Sequence, residues 1–193
     1  ALPIYTQSIT VTVNRIADAI RVTPLSIVTL GSETRVNSTT SDIQRIDSDV
    51  AQAVASDSNG NYVVVWSSNQ QDGSGYGIYA QRYSAAGVAQ GAEFLVNSTT
   101  ANSQTVSSVA MDATGNFVVT WTSDLQDGSG LGVYAKRFNA SGVAQGTEFL
   151  VNTTTAGNQS GAAVAMSWTG EFVIAWTSDA QDPDSSAGIY AQR

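Results

Sequence analysis

The sequence predicts an all-β protein of three four-stranded antiparallel repeats, each about 55 residues long, and three observations carry that prediction. One phrase occurs three times: Gly60-Asn61-Tyr62-Val63-Val64-Val65-Trp66, Gly115-Asn116-Phe117-Val118-Val119-Thr120-Trp121 and Gly170-Glu171-Phe172-Val173-Ile174-Ala175-Trp176, with successive tryptophans 55 residues apart. Turn signals rich in Gly, Asn, Asp and Ser recur between β-branched runs. No stretch combines helical periodicity with helix caps.

Residues 1–30 precede the repeats and form a separate segment. Within it Ser8-Ile9-Thr10-Val11-Thr12-Val13 alternates polar and apolar side chains, the pattern of a half-buried strand. Pro24 interrupts the following β-branched stretch and makes it an edge strand or a linker. An isolated strand leaves backbone donors and acceptors unpaired, so the segment is expected to dock on a sheet edge of its own chain or of a neighbouring copy. It carries no basic stretch followed by an apolar run, hence no visible signal peptide or membrane span.

Residues 31–193 form the repeat domain, and cutting at each Gly-x-Glu gives units 31–90, 91–145 and 146–193. The first unit is longer by five residues through an insertion around Ser41 to Asp49. Each unit reads as four strands: Glu-Phe-Leu-Val-Asn, a short strand near Val109-Ala110-Met111, the core phrase, and Gly-Val-Tyr-Ala-Lys-Arg-Phe. Asn59-Gly60, Thr114-Gly115, Asp127-Gly128-Ser129-Gly130 and Ala140-Ser141-Gly142 mark the turns between them.

Four antiparallel strands in about fifty residues match a β-propeller blade. The core strand is apolar on both faces, as an inner blade strand packed between neighbours must be. The last unit also lacks the Glu-x-x-Val-Asn strand that the first unit has to spare, the phase in which chain ends complete one blade. Propellers usually close with four to eight blades. Three units therefore imply a piece of a longer array, a ring of two copies, or a three-fold closed β-prism or trefoil.

Composition narrows the function classes. Cysteine and histidine are both absent, which removes disulfides, the usual zinc sites, cysteine nucleophiles and histidine-based acid–base pairs. The formal charge is −8 and Lys136 is the one lysine, so nucleic acid is not an expected partner. Low lysine, an acidic balance and abundant Ser, Thr, Asn and Gly fit an extracellular protein, and equally fit general solubility.

Three motifs carry a resemblance: Gly-x-Phe-Val-Val-x-Trp, Gln-Asp-Gly-Ser-Gly-x-Gly-(Ile/Val)-Tyr-Ala-(Gln/Lys)-Arg, and Glu-Phe-x-Val-Asn-x-Thr-Thr. Over residues 31–193 they resemble repeats of very large secreted bacterial proteins, including calcium-binding, adhesin-like ones. The segment Ile9-Thr10-Val11-Thr12-Val13-Asn14 looks like the closing strand of the cadherin-like or immunoglobulin-like domains that neighbour such repeats. The resemblance implies an extracellular or cell-surface protein with structural or adhesive work. The third unit departs from the pattern, with Asp182-Pro183-Asp184-Ser185-Ser186 for Asp-Gly-Ser-Gly and Ser167-Trp168 for Asp112-Ala113.

Candidate sites follow from residue type. Asp72, Asp127, Asp179, Asp182 and Asp184 lie in oxygen-rich loops suited to calcium, which takes six to eight oxygen ligands; plain turn chemistry accounts for the same residues. Trp66, Trp121 and Trp176 could line glycan pockets, although the end of a doubly apolar strand favours packing between units. Trp168 stands beside a turn and is a candidate exposed contact. Asn37, Asn97 and Asn152 each open Asn-x-Thr, a glycosylation form, but recurrence in Thr-rich turns points to backbone bonding instead. Arg82, Arg137 and Arg193 also recur, as a repeated ion pair or rim charge.

The leading expectation is a non-enzymatic extracellular structural or adhesive module with calcium as candidate cofactor, assembling with itself as a homo-oligomer or filament or joining other cell-surface components. The alternative is a lectin-like propeller that binds glycans. A glycosidase stands third, because it needs a carboxylate pair unique to one place and most acids here recur.

Overall fold

The computed structural model describes residues 32–179, 181–182 and 186–193. The expected Ser8–Val13 strand and its docking, together with Asp184, lie outside the described residues. The chain divides into a unit Ala1–Thr34 and a unit Arg35–Arg193; the second holds every strand described below.

The described residues form an all-β structure without a helix, in three antiparallel sheets, none closed into a barrel. The first sheet contains β1 (Gln44–Arg45), β2 (Val54–Ser56), β3 (Tyr62–Asn69), β4 (Tyr76–Tyr83) and β5 (Phe94–Leu95). The second runs in the order β6 (Gln104–Met111), β7 (Phe117–Asp124), β8 (Leu131–Phe138) and β9 (Phe149–Leu150). The third is β10 (Gln159–Met166), β11 (Phe172–Ser178) and β12 (Gly188–Gln192).

The expectation of four strands in every unit needs two corrections. In the first sheet β1 and β2 both pair with β3, at the positions where β6 pairs as one strand with β7. The inserted residues enter where β6 shifts register between Thr105 and Ser108, so the insertion splits one strand at a bulge. The third sheet has three strands because the strand after each Gly-x-Glu joins the sheet before it. Phe94 and Leu95 pair with Ala80 and Tyr79, and Phe149 and Leu150 with Ala135 and Tyr134.

Stacking follows from the alternation of side chains along a strand. Tyr62, Val64 and Trp66 share one face of β3, and Val63 and Val65 the other. Val63, Val65, Ile78 and Ala80 of the first sheet form one core with Phe117, Val119 and Trp121 of the second. Val118, Val133 and Ala135 of the second form the next core with Ile174 and Trp176 of the third. The aliphatic face of each sheet thus meets the aromatic face of its successor. Each fully buried Val or Phe contributes roughly 1.5–3 kcal/mol, so these faces dominate the cohesion of the stack.

Val63, Val65 and Val118 are fully buried and Phe117 nearly so, as a core strand requires, whereas Val173 is 39% exposed and Ala175 half-buried. Val173 and Ala175 thus depart from the burial on both faces that the apolar pattern of the core phrase predicts for all three units. They lie on the aliphatic face of the third sheet, and no described sheet follows to cover it.

Candidate functional site

The acidic loops are built by their glycines. Gln70 NH donates to Gly75 O at 2.6 Å and Gly73 NH to Gln70 O at 3.1 Å, closing a tight turn in which Gly73 has φ +94°. The Asp72 carboxylate accepts from Ser74 NH at 3.1 Å, and Asp127 accepts from Ser129 NH at the same distance. The other oxygen of Asp72 folds over Gly77, where an added Cβ would lie 2.5 Å away. A glycine therefore stands at that place in each strand that follows an acidic loop.

Each of these two loops brings one carboxylate, already engaged by its own turn. That donor set falls short of calcium's six to eight oxygens. Asp72 does retain a buried oxygen, Oδ2, without a hydrogen-bond partner. Asp179 accepts from Asn158 Nδ2 at 3.5 Å, and Asp182 accepts from the Tyr190 hydroxyl. Among the described residues no three acidic side chains gather as a metal-binding group.

Trp66, Trp121 and Trp176 are buried, and none of their indole NH groups has a hydrogen-bond partner. Trp121 packs in the core between the first and second sheets and Trp176 in that between the second and third. Trp66 lies with Val64, Tyr79 and Tyr83 on the outer face of the first sheet. Trp168 is 79% exposed, and its backbone carbonyl accepts from Ala113 NH at 3.2 Å. The structure brings none of the four tryptophans together.

Asn97 and Asn152 are buried backbone ties. Asn97 Oδ1 accepts from Ile78 NH at 2.7 Å while its Nδ2 donates to Thr99 O and Gln104 Oε1; Asn152 repeats all three bonds with Val133, Thr154 and Gln159. Arg82 donates from Nη1 to Ser141 O at 2.7 Å, a tie between consecutive units rather than an ion pair.

The strongest repeated constellation is one that residue typing passed over. Glu93 accepts from Ser38 NH, Thr39 NH, Thr39 Oγ1 and Gln71 Nε2 at 2.6, 3.2, 2.6 and 2.9 Å. Glu148 accepts the same four bonds from Ser98, Thr99 and Gln126. Burial pushes the Glu93 carboxyl up, but the Thr39 hydroxyl, the Ser38 amide and Gln71 together outweigh it and hold it down at about 2. Their sequence signal is recurrence alone: Glu93 and Gln71 return after 55 residues as Glu148 and Gln126, and Asn37-Ser38-Thr39 returns after 60, across the five-residue insertion, as Asn97-Ser98-Thr99.

Between units the turns also form paired clefts. One is lined by Asp57, Asn61, Arg82 and Gln90, and its counterpart by Asp112, Asn116, Arg137 and Gln145. Asp57 and Asp112 are engaged by their own turns, accepting from Asn61 and Asn116 through both backbone and side chain.

No protein-family model matches the chain, and no curated protein matches it in sequence. Among solved structures it is similar to the crystal structure of an endo-arabinase from Bacteroides thetaiotaomicron VPI-5482, with a TM-score of 0.43 and 16% identity over 71% of this chain. The match covers 53% of that structure, so this chain spans about half its length. A likeness at that level assigns no activity.

Proposed function

We propose that this chain is a non-enzymatic, extracellular structural or adhesive repeat module built of β-propeller-like units. The observation that carries the reading is the use of its repeated carboxylates. Glu93, Glu148, Asp57 and Asp112 each accept three or more hydrogen bonds that tie turns or join units. A glycosidase needs two carboxylates facing a substrate across an open gap. The stack of sheets by unlike faces supports the propeller-like part, since each unit then presents the same joint to the next. The acidic, nearly lysine-free composition supports an extracellular or cell-surface setting.

Calcium enters this reading only at the loop of Asp179 and Asp182, where two described acidic side chains belong to one loop. The partners are further copies of the chain or other cell-surface components.

The second reading is a glycan-binding module, favoured by the paired clefts at Arg82 and Arg137, whose polar linings repeat. A glycan array and a reducing-end release assay over a polysaccharide panel test both. The structural reading expects neither saturable binding nor release. Equivalent low-affinity sites lost in Arg82→Ala and Arg137→Ala would establish the glycan-binding reading, and release of reducing ends would overturn the non-enzymatic one.

A further inference from the structure

The same joint is made twice within this chain. A Glu-Phe-Leu-Val-Asn block lies along the last strand of the preceding sheet and is fastened at both ends. At one end the glutamate takes four hydrogen bonds from a Thr-bearing turn and a glutamine. At the other, Val96 NH donates to Ile78 O at 2.8 Å while Ile78 NH donates to Asn97 Oδ1 at 2.7 Å. Val151, Val133 and Asn152 repeat that pair of bonds at 2.8 and 2.7 Å.

The third sheet carries the acceptor half of this joint. Asn152-Thr153-Thr154 repeats the turn Asn97-Ser98-Thr99, and Gln181 repeats Gln71 and Gln126. Ser178 Oγ donates to Gln181 Oε1 at 2.8 Å, as Ser68 does to Gln71 and Ser123 to Gln126 at 2.6 and 2.7 Å. Among the described residues no carboxylate receives the Thr153 and Thr154 amides, the Thr154 hydroxyl or Gln181 Nε2. Ile189 occupies the position of Ile78 and Val133, yet it is 78% exposed where they are fully buried.

The donor half is present as well. Glu33-Thr34-Arg35-Val36-Asn37 is the first of the three blocks, and it pairs with no described strand. Glu33, Thr34 and Arg35 are exposed. Asn37 Nδ2 already donates to Thr39 O and Gln44 Oε1, the bonds that Asn97 makes to Thr99 and Gln104. Among the described residues one such block and one such sheet edge are without a pairing strand, and they are complementary.

We propose that β12 accepts the Glu33–Asn37 block of a second copy of this chain, with Glu33 seated on Thr153, Thr154 and Gln181, so that copies join head to tail. Main-chain pairing supplies affinity and the glutamate sets the register. By homology of position, Thr34 and Arg35 lie opposite Ala191 and Tyr190, which puts a guanidinium where Leu95 packs in the first joint. The contact is heterologous, so it closes as a ring of two or runs on as a filament. This inference rests on the reading of the chain as an assembling repeat module and names the surface it assembles through.

The test is the mass of the full chain in solution as a function of concentration, by sedimentation and light scattering. The expected result is a mass that rises above the 20.1 kDa of one chain. Glu33→Lys, which removes the carboxylate acceptor, and Thr154→Glu, which sets a second carboxylate against Glu33, each weaken association by about tenfold or more. The double variant carrying both changes restores it by reversing the pair. Unfolding by urea, followed by circular dichroism, verifies that the single variants remain folded. A chain that stays a monomer, association indifferent to both single changes, or a folded double variant that gains nothing would overturn the inference. The glycan and polysaccharide assays do not depend on this joint, so a monomer leaves the module reading to be decided by them.

Discussion

Glu93 reaches back 54 residues to Thr39, accepting its hydroxyl at 2.6 Å and its amide at 3.2 Å. This fastens the start of one repeat to the turn of the repeat before it. Glu93→Gln keeps the shape but removes the charge that strengthens these bonds. Hydrogen bonds to charged groups are worth about 1.5–3 kcal/mol; discounted for solvent around this carboxylate, the expected loss is about 1–2 kcal/mol. Urea unfolding of Glu93→Gln, Thr39→Val and the double variant should show losses that do not add.

Acid should loosen the same clamp. Burial raises the Glu93 pKa, but the Thr39, Ser38 and Gln71 hydrogen bonds hold it at about 2 against an ordinary value of 4.5. Burial likewise raises Glu148, while the Ser98 amide, the Thr99 hydroxyl and amide and Gln126 bring it below its ordinary value. A carboxylate with a lowered folded-state pKa stabilises the fold above its unfolded pKa, and that contribution is lost as pH falls through the folded one. The urea midpoint should therefore drop between pH 4.5 and about 2. In Glu93→Gln the drop should be shallower; an unchanged profile would remove Glu93 from the account.

Equivalent valines should differ in cost. Val118 is fully buried between sheets, and Val173, 55 residues on, is 39% exposed. Val118→Ala should cost about 2 kcal/mol through lost burial and a cavity, and Val173→Ala less than about 1 kcal/mol. Equal losses would mean that the aliphatic face of the third sheet is covered in solution.

Asn97 is 3% exposed and serves both a strand amide and a turn carbonyl. Asn97→Ala leaves Ile78 NH without its acceptor, and each buried unsatisfied group costs about 1–3 kcal/mol. Asn97→Asp keeps the acceptor and loses the donor, so its thermal midpoint should fall between those of the alanine variant and the parent. Glycosylation at this position is not expected, because the side chain is enclosed.

Calcium should act, if anywhere, at the loop of Asp179 and Asp182. Any rise in Tm on adding millimolar calcium to chelator-treated protein should survive Asp72→Asn and Asp127→Asn and vanish in Asp182→Asn. Loss of the rise in Asp72→Asn would show that the buried free oxygen of Asp72 belongs to a metal site after all.

Much of the architecture was written in periodicity. The 55-residue spacing of Trp66, Trp121 and Trp176, the Asp-Gly-Ser-Gly turns and the five-residue insertion all follow from local preference, because turns and alternation are properties of short segments. The all-β class followed from them, and so did the use of Asn97 and Asn152 as backbone ties. The Glu93 clamp was equally periodic, but a solvent-prone glutamate in a Gly-x-Glu turn carries no local mark of its distant partners.

What the tertiary structure alone decided is which neighbour each repeated element meets. The sequence assigns Phe94-Leu95 to the unit it opens, and the fold pairs it with β4 of the unit before. The sequence makes Val63, Val118 and Val173 alike, since each core phrase is apolar on both faces. Only the stacking order buries the first two and leaves the third open, because burial belongs to a pair of surfaces and a strand's own residues specify just one of them.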